Sequence, residues 1–125
     1  MKEPIWLELT VVLAIHDEQL AEHGGQPGVR DFAALDSALS RPKRRYAHGN
    51  TSLVELAASF AFGISRNHPF IDGNKRTRLV VAVLFLSLNG VELSATDADC
   101  VATFLGLAAG ELSEAQQAAW LERHS

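Results

Sequence analysis

The sequence has little of what membrane, secreted or disulfide-bonded proteins need. Its 125 residues include a single cysteine, Cys100, so no disulfide can form within the chain, and a reducing cytosol is the expected compartment. No apolar run reaches the ~18 residues of a membrane-spanning helix. The first residues lack the basic and apolar regions of a secretory signal peptide. The sequence therefore predicts a cytoplasmic protein with no membrane partner.

Excess positive charge is also missing. The chain carries 11 Lys and Arg against 15 Asp and Glu, for a net charge of −4. Domains that bind nucleic acid are usually basic, so no nucleic-acid partner is expected. The remaining composition, 47% hydrophobic and 21% charged, is ordinary for a globular protein, and the length suits one core. We therefore expect a single domain over residues 1–125.

Apolar residues recur at helical spacing along most of the chain, and almost no segment alternates as a strand would. Gly24-Gly25 ends the first predicted helix, Asp31 is a good N-cap for the second, and Asn89-Gly90 ends the fourth. Capping-box patterns begin two others, at Ser52 and Ser113. The fold class is therefore all-α, a compact bundle of about six helices. Five of them are predicted near residues 8–23, 31–39, 52–67, 75–88 and 113–121.

The helix over residues 75–88 is apolar on nearly all sides, which predicts a buried central helix. Its burial would hold its N-terminus in a fixed place. The sixth helix should begin at the capping sequence 96–99 and end at Gly110. Cys100 lies in this helix and is predicted to be a buried structural thiol.

Chemistry is concentrated just before the central helix, in the sequence HPFIDGNKRTR of residues 68–78. Pro69 disfavours a helical conformation at His68, so the preceding helix should end there or one residue earlier. Phe70 and Ile71 are apolar and are predicted to anchor the loop in the core. Gly73 and Asn74 are the residue types that best tolerate positive φ.

These residues suggest a phosphate site. The backbone N–H groups of about residues 73–76 should project from a helix start, which favours anions, and Lys75 and Arg76 add positive charge there. Asp72 suits Mg²⁺, which prefers one or two carboxylates plus phosphate oxygens. His68 could accept a proton from an incoming hydroxyl. Each residue alone has an ordinary structural explanation, but their joint spacing favours a site.

Three features leave alternatives open. His16 and Asp17 lie in the middle of the first helix, and the favoured interpretation is that they only tie down neighbouring loops. Arg66 is a surface cation or a contact to phosphate or a partner. The basic segment 41–50 is loop-like, and it is either a solvated loop or a surface that steers an acidic partner.

The motif H-P-F-x-D-G-N-K-R, at residues 68–76, resembles the active-site motif of the Fic/Doc family, and its lysine resembles the Doc branch. The resemblance extends to Ile15-His16-Asp17, to residues 23–28 and to Arg66-Asn67, and so spans nearly the whole chain. In Fic-like proteins the region of segment 41–50 is a flap. If this carries over, the flap would present its backbone to an extended target peptide.

The resemblance also implies a role for each motif residue. His68 would activate the target hydroxyl and Asp72 would hold Mg²⁺. Arg76 would bind a phosphate of the nucleotide, and Phe70 would anchor the loop in the core. The nucleotide-binding set implied by the family is Gly73, Asn74, Lys75 and Arg76, and the catalytic set is His68, Asp72 and Arg76.

For the whole protein, the resemblance implies a Doc-type toxin. Such a toxin is a protein kinase that transfers the γ-phosphate of ATP to a threonine of translation elongation factor Tu and halts translation. Relatives that transfer AMP have glycine where Lys75 stands and a second arginine where Leu79 stands, and both departures match the Doc branch. A built-in inhibitory segment is not evident, since Thr51 and Glu55 have its spacing but Leu56 follows. The resemblance therefore implies control by a separate Phd-like antitoxin.

Two other functions are compatible with the same residues. The first is AMP transfer to a protein hydroxyl by the same fold. The second is a non-catalytic binding module whose site has decayed, although the intact His68, Asp72, Asn74 and Arg76 speak against it.

Overall fold

The computed structural model describes residues 3–93 and 113–125. Within them the chain forms helices and no strand, with one isolated bridge between Val29 and Phe70, which confirms the all-α class. The predicted helix after residue 96, and Cys100 within it, lie outside the described residues. The described helices are α1 (Leu9–His23), α2 (Phe32–Ala47), α3 (Leu53–Asn67), α4 (Asn74–Leu88) and α5 (Glu114–His124).

Most helix ends agree with the capping signals in the sequence. The Asp31 side chain accepts a hydrogen bond from Ala34 N at 3.0 Å, as an N-cap should. Ser113 and Gln116 form the full capping box at the start of α5. At α3 only half of the predicted box exists: Ser52 accepts from Glu55 N, but its own N–H donates to the Asn50 side chain instead.

The prediction of a loop at residues 41–47 is wrong, because α2 continues through this basic segment to Ala47. An internal proline costs about 3 kcal/mol or more, yet Pro42 is buried in the helix. Tertiary contacts next to Pro42 stabilise this part of the helix. Arg41 hydrogen-bonds Ser59 at 2.8 Å and pairs with Glu114, which also pairs with Arg45 at 3.2 Å. The flap proposed for this segment is therefore wrong for 41–47, whose backbone groups are used inside a helix.

α4 is buried against its neighbour as predicted, and among the described residues the helix with the most helix neighbours is α3, which precedes the motif. It packs against α2, α4 and α5, and most of its residues are buried. Small side chains allow this close packing: a Cβ placed on Gly63 would lie 3.2 Å from the Ala38 backbone. In α4 only Lys75 and Leu88, near its two ends, are exposed, and the other side chains are buried or partly buried.

An aromatic cluster fills the core between α3, α4 and the N-terminal segment. Trp6 stacks on Phe85 with 5.8 Å between ring centroids, and Phe60 lies 5.1 Å from Phe85. Ile5 is held by two hydrogen bonds to the Asn89 side chain at the end of α4. This cluster fixes α4 against α3 and so fixes the direction of its N-terminus. Across the described residues, no helix has the length and apolar character to span a membrane.

Candidate active site

The motif loop between α3 and α4 is held by a short antiparallel ribbon. Residues 28–31 pair with residues 69–71 around the bridge between Val29 and Phe70. Ile71 N donates to Gly28 O at 3.2 Å, and Arg30 N donates to Pro69 O at 2.7 Å. The helix patterns in the sequence do not reveal this pairing, because the two segments are far apart in the sequence.

The ribbon decides which motif side chain is buried. Neighbouring residues of an extended segment point to opposite sides. Phe70 points inward and is 1% exposed, as predicted, whereas Ile71 points outward and is 55% exposed. The prediction that Ile71 anchors the loop in the core is therefore wrong, and its side chain lies at the wall of the cleft described below.

His16 connects α1 to the motif loop. Its Nε2 lies 2.8 Å from the carbonyl oxygen of Asp72, and since a carbonyl only accepts, Nε2 carries the proton. The ring stacks on Phe70 with 3.8 Å between centroids and 9° between planes. His16 is buried and Asp17 is exposed. For His16, the structural interpretation made from the sequence is correct, because it ties down the neighbouring loop.

Gly73 and Asn74 have different roles. Gly73 has φ +78°, as predicted, and a Cβ there would lie 3.3 Å from the Leu20 side chain. Asn74 does not have positive φ, since it is the first residue of α4. Its side-chain oxygen accepts from Phe70 N at 3.1 Å and its amide nitrogen donates to Phe70 O at 2.9 Å. Asn74 therefore holds the loop through its side chain, and only its backbone is left to face a ligand.

The start of α4 lies open at a cleft of about 460 Å³. No side chain caps this helix start, so the N–H groups of its first turn remain available to an anion. All the residues predicted for the site come together here, with Ile71 added. The lining residues are His68, Ile71, Asp72, Gly73, Asn74, Lys75 and Arg76.

Among the residues that the structure describes, Asp72 supplies the one carboxylate that lines the cleft. Its Oδ1 accepts from Gly73 N at 2.9 Å and its Oδ2 accepts from Gln26 N at 3.3 Å, which holds the group in place. A Cβ on Gly25 would come within 3.0 Å of Oδ2, so a glycine gives the carboxylate room. The described residues contain no cluster of three metal-binding side chains. A single exposed carboxylate fits Mg²⁺ that takes its other ligands from phosphate and water.

His68 is the C-cap of α3 and has φ 45° and ψ 56°, in the left-handed region. Such a conformation costs a residue other than glycine about 1–2 kcal/mol. The exposed imidazole has Nδ1 3.4 Å from the Asn74 amide nitrogen. Arg30 holds the adjacent backbone, donating to the carbonyls of His68 and Asn67 at 2.8 and 2.7 Å. Sequence reasoning missed Arg30, because no local pattern distinguishes it from a surface arginine.

The other arginines near the motif do not line the cleft. Arg78 is buried and donates to the Ser65 hydroxyl on α3 at 2.6 Å. Leu79 is 3% exposed and belongs to the core. Arg66 is exposed on the last turn of α3. The cations at the cleft are therefore Lys75 and Arg76.

Comparison with known proteins adds independent findings. A sequence model described as the Fic/DOC family matches residues 6–86, which include every residue that lines the cleft. The chain is 36% identical over 115 residues to "Protein kinase doc" of Escherichia phage P1, covering 90% of this chain and 89% of the phage protein. It is 40% identical over 74 residues to "Toxin Doc" of Mycolicibacterium smegmatis, covering 58% of this chain and 57% of that protein.

Proposed function

Because the chain belongs to the Fic/DOC family, we propose that it is a Doc-type toxin and a cytoplasmic protein kinase. In this proposal it transfers the γ-phosphate of ATP to a threonine hydroxyl of translation elongation factor Tu and blocks translation. The observation that carries the proposal is the cleft, where His68, Asp72 and the open start of α4 meet two cations, Lys75 and Arg76.

The start of α4 is the proposed phosphate site. Its open N–H groups and the positive end of the helix dipole favour negative charge, and the Lys75 and Arg76 side chains add two full charges. The cleft volume of about 460 Å³ lies within the range of small-molecule sites. α4 is a rigid support, since Leu79, Val81, Ala82 and Phe85 bury its inner face. Phosphate would therefore be held on a fixed element.

Asp72 is the proposed ligand for Mg²⁺. The two backbone N–H groups on its oxygens hold the carboxylate at the edge of the phosphate site. When bound, the ion would neutralise charge on the phosphates during transfer. Asp72 would thus act mainly by placing the positive charge of the ion beside the phosphates.

His68 is the proposed acceptor for the hydroxyl proton. In the reaction, a bond forms between the target oxygen and the γ-phosphorus, and the bond from that phosphorus to the β,γ-bridging oxygen breaks. The hydroxyl proton passes to the imidazole of His68, which lies exposed at the cleft. Phosphoryl transfer depends mostly on positioning and charge stabilisation, which suits a site with one base and several fixed positive groups.

Labelled ATP tests the reaction directly. Purified protein, Mg²⁺ and elongation factor Tu are incubated with ATP that carries label at either the α- or the γ-phosphate, and the modified residue is located by mass spectrometry. We expect γ-label on a threonine. Label from the α-phosphate would instead establish AMP transfer. If neither label is incorporated into elongation factor Tu or any protein of a bacterial lysate, a non-catalytic binding module is favoured.

Lys75 is expected to set which phosphorus is attacked. Its side chain lines the cleft at the helix start, where AMP-transferring relatives have glycine, and so it would crowd an α-phosphate placed there. Lys75→Gly should lower γ-transfer and raise the ratio of α- to γ-label on the target. Lys75→Ala is the matched control, because it removes the charge while keeping a good helix former. An unchanged label ratio in both variants would mean that Lys75 does not decide the reaction.

Adding the second arginine of the AMP-transferring pattern is a poor test in this chain. Leu79 is 3% exposed, so Leu79→Arg would place a cation in the core. Loss of activity in that variant, or in its combination with Lys75→Gly, would report misfolding. The Lys75 substitutions alone are therefore the informative ones.

Asp72→Asn should weaken the binding of ATP with Mg²⁺ but not of ATP alone. The amide keeps the size of the side chain while it loses the charge that Mg²⁺ prefers. Calorimetric titrations with ATP, with and without Mg²⁺, measure the difference, and Glu55→Gln is a control at an exposed carboxylate on α3. Equal affinity for ATP–Mg²⁺ in parent and variant would remove Asp72 from the metal site.

Control of this toxin is proposed to come from a separate Phd-like antitoxin. Thr51 and Glu55 have the spacing of an inhibitory segment, but Leu56 directly after them is fully buried in the core. This segment is therefore the start of α3. Antitoxin segments that fold on binding suit reversible inhibition. Coexpression of a Phd-type protein should restore growth of bacteria that produce this chain.

A further inference from the structure

His68 has a backbone conformation that its residue type rarely adopts. It is the one residue other than glycine with positive φ in the described ranges 3–93 and 113–125. A conformation of this kind persists only where the surrounding structure holds it, and such residues are frequent at functional sites. Some contact beyond the local sequence must therefore hold His68.

Arg30 makes that contact. Its Nε donates to the carbonyl of His68 at 2.8 Å, and its Nη2 donates to the carbonyl of Asn67 at 2.7 Å. Its backbone N–H donates to the carbonyl of Pro69 at 2.7 Å. The first two carbonyls lie at the C-terminal end of α3, where acceptors lack helical partners and positive charge is favourable. One arginine therefore holds three consecutive carbonyls around His68.

The direction of the imidazole depends on this arrangement. The angles φ and ψ of His68 set both where its carbonyl points and where its Cβ leaves the chain. If the residue took another conformation, its carbonyl and its ring would both change direction relative to Arg30 and the cleft.

We propose that Arg30 is a positioning residue, whose guanidinium keeps His68 in the left-handed conformation and its imidazole in the cleft. The inference rests on the proposed function, in which His68 accepts the proton of the target hydroxyl. Arg30 does not line the cleft, where Lys75 and Arg76 supply the positive charge. Its loss should therefore slow transfer without weakening ATP binding. Lysine should replace it poorly, because one ammonium group lacks the planar fork that reaches two carbonyls.

The test compares Arg30→Ala, Arg30→Lys and the control Arg123→Ala, which removes an exposed arginine on α5. Transfer of γ-label to elongation factor Tu gives kcat and the KM for ATP. Carbon chemical shifts of His68 Cα and Cβ report its backbone conformation. In Arg30→Ala we expect kcat to fall at least about 10-fold, since small displacements of a reacting group are costly. In the same variant we expect an unchanged KM for ATP and His68 shifts outside the left-handed range. The kcat of Arg30→Lys should lie between those of the parent and Arg30→Ala, and Arg123→Ala should match the parent.

Two results would overturn the inference. In the first, Arg30→Ala keeps the parent kcat. In the second, its KM for ATP rises while the His68 shifts stay in place, which would make Arg30 a nucleotide contact. If the parent protein transfers no phosphate, the proposed function fails, and the His68 shifts still show whether Arg30 holds the residue. Should Arg30→Ala misfold, Arg30→Lys carries the same comparison.

Discussion

His68→Ala is expected to abolish toxicity while the protein stays folded. Loss of a general base typically lowers the rate about 10²- to 10⁴-fold. The His68 side chain is exposed, so its removal deletes little core packing. The measurements are γ-phosphate transfer to elongation factor Tu, growth of bacteria that express the variant, and a circular dichroism melt.

Two further variants make this result specific. His68→Asn removes the imidazole but keeps a residue that tolerates the left-handed conformation, so it separates loss of the base from loss of the backbone geometry. His48→Ala removes another exposed histidine, at the end of α2, and should leave transfer unchanged. A folded His68→Ala protein that still arrests growth and transfers phosphate would exclude His68 as the base.

Phe60→Ala should lower the free energy of unfolding by about 3–5 kcal/mol, the usual cost of deleting a buried phenylalanine. Phe60 is fully buried in α3 and contacts the rings of Trp6 and Phe85. This change is a large part of the total free energy of unfolding of a domain, which is typically about 5–15 kcal/mol. Urea denaturation of parent and variant measures the difference.

Phe32→Ala is the matched control for Phe60→Ala. The same side chain is deleted, but Phe32 is 62% exposed at the first position of α2. Its loss should change the free energy of unfolding by no more than about 0.5 kcal/mol. Similar values for the two variants would show that α3 is not the centre of the core.

The residues that line the cleft were easier to predict from the sequence than the packing around them. His68, Asp72, Lys75 and Arg76 could be expected to lie together because they are concentrated in one stretch. The outward direction of Ile71 could not, because it depends on pairing with residues 28–31, which no helical pattern shows. Arg30 was missed for the same reason.

The fold shows a similar division between local and tertiary information. The ends of α1 and α4 follow from Gly24 and Asn89, which lie next to the segments they end. The extension of α2 through Pro42 could not be predicted, since it depends on ion pairs between Arg41, Arg45 and Glu114 on another helix. The burial of α4 could be predicted from its apolar sequence, whereas the several helix neighbours of α3 follow from tertiary packing.

The ribbon that holds the motif loop affects the order in which parts of the molecule fold. Several contacts that hold the site join parts distant in the chain: 38 residues separate Arg30 from His68, and 56 separate His16 from Asp72. Contacts between distant residues require closure of a long loop and slow folding, whereas helices form from neighbouring residues. Newly made chains should therefore become helical before they become active. The expected delay between the two would come from the loop and its ribbon alone.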